Sequence, residues 1–178
     1  MSKKSTPKFG FVIDASIAKS AGLSADIRSE SCRLLLETIT VAGHRIVLNE
    51  LIVAEWDRHK SGFANLWLIS MISKRKVSNV ESSELAAFRE AISEHFGSDR
   101  IPESLAVLKD AHLVEAAFRS NKRVVSLDDT ARQHLLSMSR SFHALHEIMW
   151  ANPAKPAEKV VPWIAAGAKF AKSRLLKV

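Results

Sequence analysis

Phe9-Gly10-Phe11-Val12-Ile13-Asp14-Ala15-Ser16 is the stretch on which the fold turns. An apolar, β-favouring run ends abruptly at an acid, and this predicts a buried strand that delivers a carboxylate at its C-terminal end. The pattern returns at Val124-Val125-Ser126-Leu127-Asp128. Arg45 to Leu48 reads as a second strand, Lys76 to Val80 as a short edge strand, and Ile148-Met149-Trp150 as the centre of a last one before Pro153. Between them lie helical rhythms. Ile27, Leu34, Leu35 and Ile39 mark a helix within Ser24 to Val41, with Gly43 as its stop. Leu51 to Trp56, Phe63 to Ile72 and Thr130 to Met138 are further helical segments. Another is expected from Ser82 or Ser83 to Phe96, with a Ser cap, Glu84 in the first turn and Gly97 past the end. From Ser104 to Asn121, the residues Val107, Ala111, Val114 and Phe118 form an apolar stripe. Strands alternating with helices predict an α/β fold, a three-layer α/β/α sandwich around a mainly parallel sheet.

The chain has 178 residues, 47% hydrophobic and 25% charged, enough for one ordinary globular core without disulfides or a structural metal. Its single cysteine, Cys32, cannot form an internal bridge and is expected in the core of a cytoplasmic protein. No apolar run reaches the roughly 18 residues of a membrane helix, so no membrane partner is expected. The N-terminal lysines are followed by too short an apolar run for a secretory signal. The net charge of +7 sits at the ends: three lysines in 1–8, and six basic residues against Glu158 in 151–178. The stretch 9–150 holds 17 basic and 18 acidic residues. The organisation expected is a flexible basic N-terminus (1–8), a body (9–152) and a Pro-containing junction with a basic C-terminal helix (153–178). Pro153, Pro156 and Pro162 make that junction stiff and non-helical. Trp163 to Lys177 then reads as a basic amphipathic helix with Ile164, Ala168, Ala171 and Leu175 on one side. Docking onto the body, homodimer contact and gripping the phosphates of a polyanion all fit it.

Four acids fall where this architecture gathers side chains: Asp14, Glu55, Asp110 and Asp128. In open α/β sheets, ligands bind at the carboxyl ends of the strands. Crowded carboxylates there take up protons or a cation. Hard oxygen donors select Mg²⁺ or Mn²⁺, whose chemistry is assisted phosphodiester hydrolysis. Acids after strands are also ordinary helix caps. Glu50 and Asp57 compete with Glu55, and Asp129 competes with Asp128, because only one of two adjacent residues faces the groove. Glu115 lies about 140° from Asp110 on the helix and is expected in solvent.

The segments Val12-Ile13-Asp14-Ala15-Ser16, Val53-Ala54-Glu55-Trp56, Asp110-Ala111-His112-Leu113-Val114-Glu115-Ala116-Ala117 and Val124-Val125-Ser126-Leu127-Asp128-Asp129 resemble the PIN-domain nucleases. These include the VapC-type toxins of toxin–antitoxin pairs. The resemblance spans residues 9–150. It implies a five-stranded parallel sheet of order 3-2-1-4-5 and an endoribonuclease acting on single-stranded or structured RNA. It makes Asp14, Glu55, Asp110 and Asp128 the acidic quartet around Mg²⁺ or Mn²⁺. It matches Ser16 to a hydroxyl beside the first acid, and Ser126 to a hydroxyl that bonds a metal-bound water or a phosphate oxygen. A toxin role would add an antitoxin protein as partner. The competing readings are a catalytically inactive PIN-like RNA-binding or protein-docking module and a structure-specific DNA nuclease. Small toxins of this kind are generally shorter, so the residues after about 150 depart from the family pattern.

Other chemistries find little here. His143-Ala144-Leu145-His146-Glu147 has neither order of a zinc-protease motif, and no Gly-rich phosphate loop is present. His112 is expected at the surface, and Trp56 and Trp67 in the core or an interface.

Overall fold

The computed structural model describes residues 7–178, so the basic N-terminal stretch lies outside the described residues except for Pro7 and Lys8. The chain runs β1 (Gly10–Ile13), α1 (Ala15–Ser20), α2 (Ile27–Val41), β2 (Arg45–Leu48), α3 (Glu50–His59), α4 (Gly62–Ser73) and β3 (Val77–Asn79). It continues through α5 (Ala86–Phe96), α6 (Ile101–Phe118), β4 (Arg123–Val125), α7 (Asp129–Met138), β5 (Met149–Ala151) and α8 (Val160–Ala165). The five strands pair in the order β3-β2-β1-β4-β5, and every pair is parallel. That is the order the resemblance implied.

Strands buried on both faces read as unbroken apolar runs. Phe11, Val12, Ile13, Ile46, Val47, Val124, Val125 and Trp150 accordingly form the centre of the core. Gly10 leaves room for its neighbour: a Cβ there would come within 2.7 Å of Val47 Cγ2. The helices pack as two groups, α1 to α4 with α8 and α5 to α7, consistent with a three-layer sandwich. Trp56 and Trp67 are buried and tie helices to the sheet layer and to each other. Trp56 Nε1 donates to the Ile13 carbonyl at 2.8 Å, and Trp67 Nε1 to the Leu36 carbonyl at 2.7 Å. Cys32 is fully buried, and burial pushes its thiol up to about 12.

Two expectations fail around α5. Helix α5 starts at Ala86 rather than Ser82 or Ser83 and has no side-chain cap at Leu85. Glu115, expected in solvent, is 2% exposed, and its Oε1 accepts the Leu85 N–H at 2.9 Å. A carboxylate from α6 therefore serves the orphan donor that a local Ser would have served.

The C-terminal segment is also corrected. Trp163 to Lys177 is not one helix: α8 ends at Ala165, and a single 3₁₀ turn spans Lys172–Arg174. Pro162 lies inside α8, in its first turn, where proline is tolerated. Gly167 (φ 94°) and Ala168 (φ 49°) take left-handed conformations that stop the helix. Arg123, buried, holds the turn by donating from Nε and Nη2 to the Ala168 carbonyl at 3.1 and 2.9 Å, with its guanidinium 3.6 Å from the Phe9 ring centroid. Ile164, Ala168 and Leu176 are fully buried, so the segment docks on the body. Of its basic residues, Arg174 is buried against Glu158, and Lys155 pairs with Asp129.

His44 fastens this segment from the other side. Its Nδ1 accepts the Phe9 N–H at 3.1 Å, so its Nε2, 3.2 Å from the Ile164 carbonyl, carries the proton. Burial holds the imidazole below its ordinary value, with Lys8, Arg123 and Lys76 adding to the effect and the Ile164 carbonyl opposing it. A native His that binds its proton less tightly than the unfolded chain contributes stability above pH about 6.5, which is lost as pH falls through the lower native value. The stability of wild type relative to His44→Gln in thermal unfolding should therefore decline below pH about 6.5. An unaltered profile in the variant would refute the assignment.

Candidate active site

The sheet order reverses at the boundary between β1 and β4, the topological switch point where open α/β sheets bind ligands. Both strands end there in an acid. Asp14 follows β1 and Asp128 follows shortly after β4, and each also caps the helix it begins: Asp14 accepts from Ser16 N, Asp128 from Ala131 N. The cap and the site residue are thus the same side chain. Glu55 arrives on α3, which Trp56 pins to the end of β1, and Asp110 arrives on α6. Asp14, Glu55, Asp110 and Asp128 line one cleft of about 310 Å³ together with Ser16, Lys19, His59 and Lys109.

Geometry decides the competing positions. Glu50 and Asp57 are outside the cleft, and Asp57 instead pairs with Lys60. Asp129 turns from the cleft to Lys155 Nζ at 2.8 Å and the Asn152 amide at 3.1 Å. Ser16 lines the cleft, while its hydroxyl donates to Asp14 Oδ2 at 2.6 Å and accepts the Leu127 N–H at 3.2 Å. Ser126 lies between the first acid and the fourth. It is fully buried, and its hydroxyl donates to Asp14 Oδ2 at 2.5 Å and accepts the Asp128 N–H at 2.9 Å. It ties the first acid to the fourth. Ser126→Ala should cost about 1–3 kcal/mol, because it strips a donor from Asp14 and orphans the Asp128 N–H. An unchanged urea midpoint would show that the hydroxyl holds neither.

The carboxylates feel one another. Burial, then Asp14 and Asp128, push the Asp110 carboxyl up to about 6, against opposing contributions from Lys109 and His112. His112, expected at the surface, is 4% exposed. Its Nδ1 lies 3.0 Å from the Lys109 carbonyl, which can only accept, so that nitrogen carries a proton. Its Nε2 is buried without a hydrogen-bond partner, 3.2 Å from Glu55 Oε2 but poorly aligned with it. Lys19, Lys109 and His59 were not singled out from sequence; no residue spacing marks them, because only the fold brings them to the acids.

Among the described residues, no group of three or more His, Cys, Asp or Glu side chains stands close enough to hold a metal ion as it is. The donor chemistry nonetheless suits a hard cation: four carboxylates in one cleft, one of them holding its proton tightly, beside an unpartnered buried nitrogen. Mg²⁺ is commonly held by one or two carboxylates, with waters and phosphate oxygens completing its shell. Asp14, Glu55, Asp110 and Asp128 are the residues that would hold it.

No family model matches the chain, and neither a curated protein nor a solved structure matches it. No described helix is long and apolar enough to cross a membrane.

Proposed function

We propose that the chain is a Mg²⁺- or Mn²⁺-dependent endoribonuclease with a PIN-like fold. The observation that carries this reading is the convergence of Asp14, Glu55, Asp110 and Asp128, from four separate segments, on one cleft at the switch point of a parallel sheet. When bound, a divalent cation there supplies a Lewis acid for the phosphodiester and lowers the pKa of water. The chain supplies the rest. Ser16 and Ser126 hold the Asp14 carboxylate in one orientation by three hydrogen bonds. Asp110, whose carboxyl is pushed up by burial and by Asp14, would be favoured in its ionised form once a cation is held beside it. Lys19 and Lys109 at the cleft attract the phosphate groups of the substrate.

An end-labelled single-stranded RNA incubated with Mn²⁺, with Mg²⁺ and with chelator tests the proposal. Cutting that requires the metal is expected, and none in any metal would overturn it. A second reading, a PIN-like binding module without a reaction, is favoured by one observation: among the described residues, no three acids or histidines of the cleft stand close enough together to hold a metal ion as they are. RNA binding with no cutting and no metal uptake in calorimetry would select it. Single-stranded DNA in the same assay separates a DNA nuclease from both.

A further inference from the structure

The acid-lined cleft does not end at Asp128. It opens into a second groove of about 530 Å³ that shares Ser16, Lys19 and Asp128 with it and continues to Arg28. We propose that this groove is the track along which the RNA strand leaves the reaction site, with Lys19 and Arg28 holding phosphates that flank the one being cut. The proposal rests on the nuclease reading and extends it to the path of the substrate.

Three observations carry it. The first is the sequence of charges. Asp14, Glu55 and Asp110 line the first compartment only, Asp128 and Lys19 line both, and Arg28 stands in the second. A phosphodiester chain bound to a cation at the acids therefore meets positive side chains as it continues. The second is availability. Lys19 and Arg28 are exposed, and among the described residues neither forms an ion pair. The other acid of the second groove, Asp129, is already matched by Lys155 at 2.8 Å. The third is form. Two contiguous open compartments suit a polymer better than a small ligand, which is usually enclosed in a single pocket. The C-terminal basic run offers less than its composition suggests, since Arg174 is buried and Lys155 is paired.

The test uses the full chain carrying Asp110→Asn, in chelator, so that RNA is bound and not cut. Fluorescence anisotropy of a labelled twelve-nucleotide single strand is read across a salt series. Each phosphate contact to a single strand contributes about 0.7 to the slope of log affinity against log salt. Adding Lys19→Ala or Arg28→Ala should each lower the slope by about 0.7, and Arg28→Lys should restore it. Unchanged slopes in both alanine variants overturn the track, as does a loss confined to Lys169→Ala and Lys172→Ala, which would place the strand on the C-terminal segment. Metal-dependent cutting by the wild type is read separately. Cutting with unchanged slopes removes the track and leaves the nuclease; lowered slopes without cutting keep the track and remove the nuclease.

Discussion

Asp110→Asn should abolish metal-dependent cleavage and, in the metal-free protein, raise the melting temperature. The two effects share one cause. The Asp110 carboxyl is pushed up to about 6 by burial and by Asp14, so its ionised form is unfavourable in the folded chain at neutral pH. A shift from 3.8 to about 6 corresponds to at most about 3 kcal/mol, which contact with solvent reduces to about 1–2 kcal/mol. The sign follows from proton linkage. The folded protein holds this proton more tightly than the unfolded chain, so Asp110 favours folding below pH about 4, and that contribution is lost as pH rises through about 6. Asparagine cannot ionise, so the gain should be fully present above pH 6, about 2–6 °C in melting temperature, and should vanish near pH 4. Cleavage should fall about a thousandfold or more, because several kcal/mol of charge stabilisation at the phosphate depends on what the carboxylates hold. Thermal scans from pH 4 to 8 and a cleavage assay with Mn²⁺ measure both. Equal melting temperatures at pH 7.5 would contradict the crowding of the acids, and cleavage at the wild-type rate would remove Asp110 from the site. With Asp110 silenced, the contributions of His44 and His95, both held below the ordinary imidazole value by burial, should show more clearly, since they have the opposite sign with pH.

Arg89→Ala is expected to have the larger effect on stability, about 3–5 kcal/mol and on the order of 10 °C. Glu115 is a buried carboxylate with three donors: the Leu85 N–H, Arg89 Nε at 3.0 Å and Arg89 Nη2 at 3.2 Å. Removing the fork leaves a charge in the interior with a single backbone partner. The pair also raises the Arg89 guanidinium above its ordinary value, through its hydrogen bond to Glu115 first. Arg89→Lys keeps the charge but loses the two-pronged geometry and should fall between wild type and Ala. Because Glu115 and Leu85 join α6 to the start of α5, amide exchange in α5 should accelerate more than in the strands. A loss below 1 kcal/mol in denaturant unfolding would mean that the pair is not buried as described.

Much of this fold was legible because the signals are local. A buried parallel strand announces itself as an apolar run, and an acid after each of two such runs places two carboxylates at one end of the sheet once the strands are neighbours. The choice of Asp128 over Asp129 was not legible. Both leave the same strand, and only the partnering of Asp129 with Asn152 and Lys155, distant in sequence, turns it away. Glu115 and His112 were misplaced for a related reason. The stripe Val107, Ala111, Val114 and Phe118 reports one packed face of α6, yet every residue from Ala111 to Ala117 is buried because neighbours cover the other faces too. The C-terminal segment read as a helix by the spacing of its apolar residues. What breaks it is Gly167 with Ala168 in a left-handed turn, held by Arg123 from another strand, and alanine carries no sign of that conformation.

The end of that segment has one more consequence. Leu176 N donates to the Ile148 carbonyl at 2.9 Å, and Leu175 bridges Met149 in the antiparallel sense, on the outer side of the last strand. An uncovered strand there would be a template for edge-to-edge assembly, the first step of domain swapping and aggregation. At the opposite margin, β3 is only three residues long and offers little to pair with. The closing residues thus act as a guard on the sheet, and a protein shortened at Pro153 should be lost to self-association even where its cleft is intact.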